Sequence, residues 1–427
     1  MRRTRRLVIM PLMFFLLLSV AVNASMSARS IGLGDDFVVV GGAEALYGNP
    51  ALVNLEGKKF LLEFSATGGF WNNLFRNDYI SEGDKDKLLD IAEKNGLLLG
   101  AEANPGLKMA IGPVLLFTEG RGQGLLRVSE DYAELLLKGN ELERTYKLEG
   151  SNGVMAFYLD SGINYSHRLS DKQVESLNEA MNNDALQLDN CYVGISYHYL
   201  QGAFFKYEAS GEFGLGFDEE GVGEITGSDG AVALYYTEIE EFADLARGHA
   251  FDIGVYADLN ERYSLGFSIL NIGGSMKVDR VREERLDFVY NEEKEEWELN
   301  DTSDQEFYLE KENIMQLPLI VKMGGKMEVI DGLDLLANYT ISSYRDSIYK
   351  KGLTEHRWTL AAEFDRLQFL PLRAGLSYST LESNLALSAG LGIHLGPLHL
   401  DLGVSDLTGL FYRSKGFNAG LNLSLVF

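Results

Sequence analysis

The last forty residues alternate with a period of two. Between Leu385 and Leu395 one parity carries Leu385, Leu387, Ala389, Leu391, Ile393 and Leu395, and the other Ala386, Ser388, Gly390, Gly392 and His394. After Gly396-Pro397 the pattern returns, with Leu398, Leu400, Leu402 and Val404 set against His399, Asp401, Gly403 and Ser405. It returns again with Ala419, Leu421, Leu423, Leu425 and the terminal Phe427. A period of two is that of a β-strand. Successive strands that are apolar on one face and polar on the other need a nonpolar solvent outside and room for polar groups inside, which describes an all-β, antiparallel transmembrane β-barrel. Closure is required because lipid cannot hydrogen-bond an open sheet edge.

Parity carried backwards from Phe427 places short turns at Gly396-Pro397, Asp365–Leu370, Ile330–Gly332 and Asp258–Glu261 on the periplasmic side. It places long loops at 72–96, 123–145, 170–189, 216–248, 273–313 and 344–354 outside the cell, the usual asymmetry of such barrels. Upward strands starting near 59, 114, 162, 203, 262, 332, 371 and 398 give a count of sixteen. Fourteen remains open, because Asn104-Pro105-Gly106 interrupts the run from Leu97 to Ile111, and Ala231–Thr237 also reads as a hairpin above the membrane. Helices are expected in the loops at Ser81–Gly96, which starts like a capping box, and at Glu130–Leu137 and Asp171–Met181. Their apolar stripes could cap the barrel mouth or pack on neighbouring loops.

The N-terminus reads as an export signal. Arg2, Arg3, Arg5 and Arg6 precede an apolar run from Leu7 to Ala21, and Val22-Asn23-Ala24 supplies small residues for cleavage before Ser25. Residues 1–24 are therefore expected to be a signal peptide, and 58–427 the barrel. Mean hydropathy of -0.08 with 46% hydrophobic residues suits alternating strands and not a bundle of membrane helices. The net charge of -25 argues against nucleic acid as a partner. Cys191 is the only cysteine, so no internal disulfide framework exists.

Residues 25–57 differ from the strands, with Gly32 and Gly34 in a Gly-x-Gly turn, a Val-rich piece at Phe37–Val40, then Gly41-Gly42-Ala43 and Asn49-Pro50-Ala51. Glycine permits close backbone approach, and Asn-Pro favours a turn over a helix. This order resembles the N-terminal plug of the FadL/TodX superfamily of outer-membrane proteins, including its PorV-like and conjugation-associated relatives. The resemblance implies a hatch folded into the lumen, with Asn49, Pro50 and Ala51 as its motif and Gly41-Gly42 letting its backbone pass close to the wall. It implies residence in the outer membrane and passage of a small hydrophobic or amphipathic solute, or else a non-transporting barrel that anchors or shuttles exported proteins. A general porin is a third possibility. Phe427, an aromatic end to the last strand, resembles the signal that barrel-assembly machinery reads, so membrane lipid and that machinery are the expected partners.

Catalytic motifs are missing from the sequence: it has no Gly-x-Ser-x-Gly elbow, no His-Glu-x-x-His and no phosphate loop. Ser388 and His394 share a parity but stand about 20 Å apart along one strand. No enzyme activity, cofactor or metal is expected. Lumen parity collects charges of both signs, including Asp252, Lys322, Lys326, Glu363, Arg373 and Asp401, with His394 and His399 on adjacent strands. A mixed set of this kind suits an internal ion-pair network, because unpaired charges in a narrow lumen are costly. Leu270, Ile320 and Leu336 share the lumen parity and suit either a ligand pocket or packing against the plug. The acidic loop 276–313, with fourteen Asp/Glu against six Lys/Arg, suits a solvated face with a hairpin turn at Tyr290–Trp297.

Protein beginning at Ser25 is expected to fold in detergent as mainly β and to change gel mobility on boiling. A mainly helical circular-dichroism spectrum would overturn the barrel assignment.

Overall fold

A computed structural model describes residues 27–53, 59–73, 80–139, 141, 144–181, 187–217, 223–260, 262–277, 281–291, 296–301, 315–344, 352–407 and 415–427. The expected signal peptide lies outside these residues. Nineteen strands are described: β1 (Phe60–Asn72), β2 (Leu97–Ile111), β3 (Val114–Val128), β4 (Arg144–Lys147), β5 (Asn152–Arg168), β6 (Leu188–Phe217), β7 (Gly223–Thr237), β8 (Ala246–Leu259), β9 (Tyr263–Lys277) and β10 (Val281–Asn291). They continue with β11 (Glu296–Asp301), β12 (Met315–Gln316), β13 (Leu319–Ile330), β14 (Leu333–Ser343), β15 (Thr354–Phe364), β16 (Leu372–Ser379), β17 (Asn384–Leu395), β18 (Leu398–Ser405) and β19 (Gly416–Val426).

Fourteen of them close the barrel, in the antiparallel order β1, β2, β3, β5, β6, β8, β9, β13 to β19, and back to β1. The seam pairs Leu62 with Leu425 and Phe64 with Leu423. The Phe427 amide donates to the Phe60 carbonyl at 2.9 Å, so the terminal residue completes the ladder. Outward side chains are apolar and exposed, as at Leu387, Leu395, Leu402 and Leu423, while Ser388, Asn422 and Ser424 on the other parity are buried. Aromatic and histidine rings stack on the outer face near the long-loop end: Tyr339, His356, Trp358 and Tyr378 on one side, and Tyr197, His249 and Phe251 on another.

The count of sixteen is corrected to fourteen at two places. Turns were expected near 158–162 and 200–203, but β5 runs unbroken from Asn152 to Arg168, and β6 crosses the barrel and continues beyond it to Phe217. Asp160-Ser161-Gly162 looks like a turn in sequence. In the fold Asp160 is a buried lumen residue, and Gly162 and Gly202 are sites where a Cβ would fall 2.0 Å and 2.2 Å from a carbonyl oxygen of the neighbouring strand. Removing those turns also moves the segment between β5 and β6 to the short-turn end. The helix Asp171–Met181 therefore lies on that side, and the expected outer loop at 170–189 is corrected.

The Asn104-Pro105-Gly106 interruption does not end β2. It breaks the pairing with β3 between Ala103↔Gly122 and Gly106↔Glu119, since proline has no N–H for the ladder. β7 pairs with the upper part of β6 and with β10, and β10 pairs with β11 from Leu286↔Asp301 to Asn291↔Glu296, so these strands form a sheet beyond the barrel rim. The loop helices Glu82–Asn95 and Glu130–Lys138 bury Ala92 and Ala133 together against Leu97 and Val128. Their stripes pack on each other and on the tops of β2 and β3.

Leu402→Arg, halfway up β18 on the lipid face, is expected to cost about 2–4 kcal/mol, and Leu395→Arg at the short-turn rim about 0–1 kcal/mol. Reversible folding into lipid vesicles in denaturant measures both. Equal costs would contradict the depth assignment.

Candidate functional site: the filled lumen

The N-terminal segment 27–53 lies inside the barrel. Its first element is a short helix, α1 (Ala28–Leu33), capped by the Ser27 hydroxyl and stopped at Gly34, whose φ of 88° is left-handed. Two 3-10 turns follow, Ala43–Tyr47 and Pro50–Leu52. Asn49 caps the second through its Oδ1, which accepts from the Ala51 amide at 3.1 Å, and Pro50 needs no hydrogen bond at that first position. The other end of the amide donates to the carbonyls of Val38 at 2.9 Å and Val255 at 2.8 Å, tying the motif to the wall. The wall answers with Asn164 Nδ2 on the Pro50 carbonyl, Ser166 Oγ on the Ala51 carbonyl and Ser268 Oγ on the Gly48 carbonyl.

Close approach is made possible by glycines of the barrel. A Cβ on Gly403 would sit 1.9 Å from the Ala28 carbonyl oxygen, one on Gly375 1.9 Å from that of Leu33, and one on Gly254 2.0 Å from Asn49 Oδ1. Gly32 meets Gly390 in the same way. Gly42 does not approach the wall in the way foreseen for the Gly41-Gly42 pair. Gly42, with φ of 112°, turns the chain, and a Cβ there would meet the segment's own Glu44 side chain and not the wall.

Toward the short-turn end an ion-pair chain joins segment and wall. Arg29 of α1 donates to Glu363 at 2.9 and 2.8 Å, to Glu44 at 3.0 Å and to the Gly41 carbonyl at 3.1 Å. Arg373 bridges Glu363 at 2.8 Å and Asp401 at 2.5 Å. His394 stands 3.3 Å from Asp401, and the His399 ring stacks on it at 4.0 Å. Four of the charged or histidine candidates are thus one network with His399 against it, completed by Arg29 and Glu44, which parity could not supply because they lie outside the strands. A cavity of about 70 Å³ opens here between Glu44, Glu63, Asp401, Leu61 and Val426. Lys326 pairs separately with Asp334 at 3.1 Å.

At mid-height, Lys322 reaches Asp35 and Asp36 of the segment at 3.7 Å each. Asp252 belongs to a cluster that sequence reasoning missed. His198 lies between Asp160 at 2.9 Å and Asp252 at 2.8 Å, and Arg121 joins Asp160 at 2.9 Å. The turn expected near 200–203 would set His198 at a strand end. Had β6 been followed through 200–203, the alternation of Val193, Ile195, Tyr197 and Tyr199 against Ser196, His198 and Leu200 would have put it in the lumen. The Arg121 guanidinium also lies 4.6 Å over the ring of Tyr47, with Lys108 at 5.5 Å.

Above this level much of the lumen turns apolar, beside a largely buried polar group of Arg357, Glu355, Glu382 and Lys415 at the long-loop end of β15–β19. Trp71, Leu125, Val154, Tyr158, Leu200, Phe204, Met276 and Met315 form one buried cluster beneath the long loops. Leu336, in contrast, belongs to one buried cluster with the segment's own Phe37, Val38 and Leu46. Among the described residues there is no cluster of three or more His, Cys, Asp or Glu placed to hold a metal ion.

Gly403→Val is expected to leave a heat-modifiable barrel while unseating α1. Limited proteolysis should then cut within residues 27–53 at least several-fold faster than in the parent, whereas Gly396→Val, where a Cβ meets nothing within 4 Å, should leave that rate unchanged apart from any strain from its φ of 60°.

No protein-family model matches the sequence, and no curated protein matches it. Solved structures do. The toluene transporter TbuX of Ralstonia pickettii aligns over 95% of this chain and 99% of its own, with a TM-score of 0.54 and 12% identity. The toluene transporter TodX of P. putida aligns over 95% and 99%, with a TM-score of 0.53 and 10% identity. A FadL homologue from Pseudomonas aeruginosa aligns over 96% and 99%, with a TM-score of 0.51 and 10% identity. The chain therefore has the fold of the FadL/TodX-type outer-membrane barrels.

Proposed function

We propose that this protein is an outer-membrane channel that passes small hydrophobic or amphipathic solutes, with residues 25–57 acting as the gate and no covalent chemistry. The observation that carries the reading is the vertical order of the lumen: an apolar cluster under the outer loops, then a buried segment held to the wall by polar contacts. An apolar upper lumen offers a solute partition from the outer leaflet or the loops, and Met276, Met315, Trp71 and Phe204 are adaptable surfaces for such a guest. A water-filled general porin would need a continuous polar bore, and the apolar cluster and the seated segment weigh against one. The solved structures of similar fold include proteins described as toluene transporters, which is consistent with a hydrophobic cargo.

Deleting residues 25–57 is expected to leave a folded barrel with larger ion conductance in planar bilayers. Asn49→Ala combined with Pro50→Ala, which removes the hydrogen bonds to Val38, Val255 and Ala51, should change uptake of a hydrophobic fluorescent probe without removing the protein from the membrane. Unchanged conductance after deletion would favour the anchoring or shuttle role instead.

A further inference from the structure

Asp35 and Asp36 enter the interface between plug and wall side by side, 3% and 1% exposed. One ammonium serves both, since Lys322 Nζ stands 3.7 Å from an oxygen of each. Asp35 has further support, accepting from Asn338 Nδ2 and Thr340 Oγ1 at 3.0 Å each. Asp36 has not. Its main-chain carbonyl accepts from Lys322 at 3.2 Å and from Asn338 at 3.4 Å, while both carboxylate oxygens are buried without a hydrogen-bond partner. The other groups facing it are Ser30 of α1 and Lys108 of β2. Lys108 is committed to Glu63 at 3.2 Å, and Arg357, which faces Asp35, to Glu355 and Glu382.

An ionised carboxylate in a dry site without hydrogen bonds is costly, and taking up a proton relieves that cost. Burial pushes the Asp36 carboxyl from 3.8 up to about 6, with Lys322 opposing the rise and Asp35 adding to it.

We propose that Asp36 is a proton-binding group that sets how firmly the plug is seated: proton-bound, the segment holds its place, and ionised, it is loosened. The proposal rests on the gating reading of residues 25–57 for its effect on transport. The seated state binds the proton more tightly than a plug released into water, so the proton's contribution to seating is fully present below about pH 4 and is lost as pH rises through about 6.

The test is hydrogen exchange of the amides in residues 27–53 of the full-length mature protein in lipid vesicles, at pH 4.5 and 7.5, corrected for intrinsic rates, with conductance recorded in parallel. Exchange should be roughly tenfold or more faster at pH 7.5, one pK unit of coupling being a factor of ten. Asp36→Asn should exchange slowly at both pH values. Lys322→Met, which removes the shared ammonium, should move the transition to higher pH, and it decides the matter alone if Asp36→Asn does not fold. Equal pH responses in the parent and Asp36→Asn, or no shift in Lys322→Met, would overturn the proposal. If exchange responds to pH while plug deletion leaves conductance unchanged, the proton site stands and the gating reading falls.

Discussion

A bilayer core offers no water to a peptide group, and every other feature of this protein answers to that constraint. The fourteen strands satisfy one another's N–H and C=O groups only because the ring closes, at the seam where Phe60 and Phe427 meet. Closure in turn divides each strand's side chains between lipid and lumen. It creates an interior that must be filled, because an empty lumen would leave Lys322 without a carboxylate and Glu363 with Arg373 alone. The plug supplies what the wall lacks: Arg29 for Glu363, and Asp35 and Asp36 for Lys322.

Seating the plug needs backbone against backbone, and glycine makes room for it. Gly254, Gly375, Gly390 and Gly403 stand on different strands, yet each leaves space for a main-chain or Asn49 atom of the segment. This arrangement explains why lumen parity carries glycines among its serines and charges in β17 and β18. A polar lower lumen with so many main-chain contacts favours a defined seat, whereas the apolar upper cluster relies on non-directional packing.

The alternation of apolar and polar positions made the barrel, its outer face and its short turns legible in the sequence, because lipid imposes that period on every strand. It misled where lumen residues imitate turns. Asp160-Ser161-Gly162 and Gln201-Gly202 have the composition of a loop, but Asp160 serves Arg121 and His198 inside the barrel, and the two glycines serve close strand packing. The Asn49-Pro50-Ala51 turn was readable for its local geometry. Its partners Val255, Asn164 and Ser166 were not, since they lie more than a hundred residues away and only closure brings them together.

The same distinction bears on function. Ion pairs such as Arg373 with Glu363 and Asp401 are mutually satisfied within the wall and gain little from moving, so they hold the barrel rigid around its contents. The plug is held by a mixture of satisfied contacts, such as Asn49, and one unsatisfied carboxylate, Asp36. If residues 25–57 gate passage as proposed, the free energy of seating is what a passing solute has to overcome, so the segment has to be bound less firmly than the wall that holds it. A buried charge without a hydrogen bond lowers that free energy without weakening the barrel, and Asp36 places this defect in the segment and not in the wall.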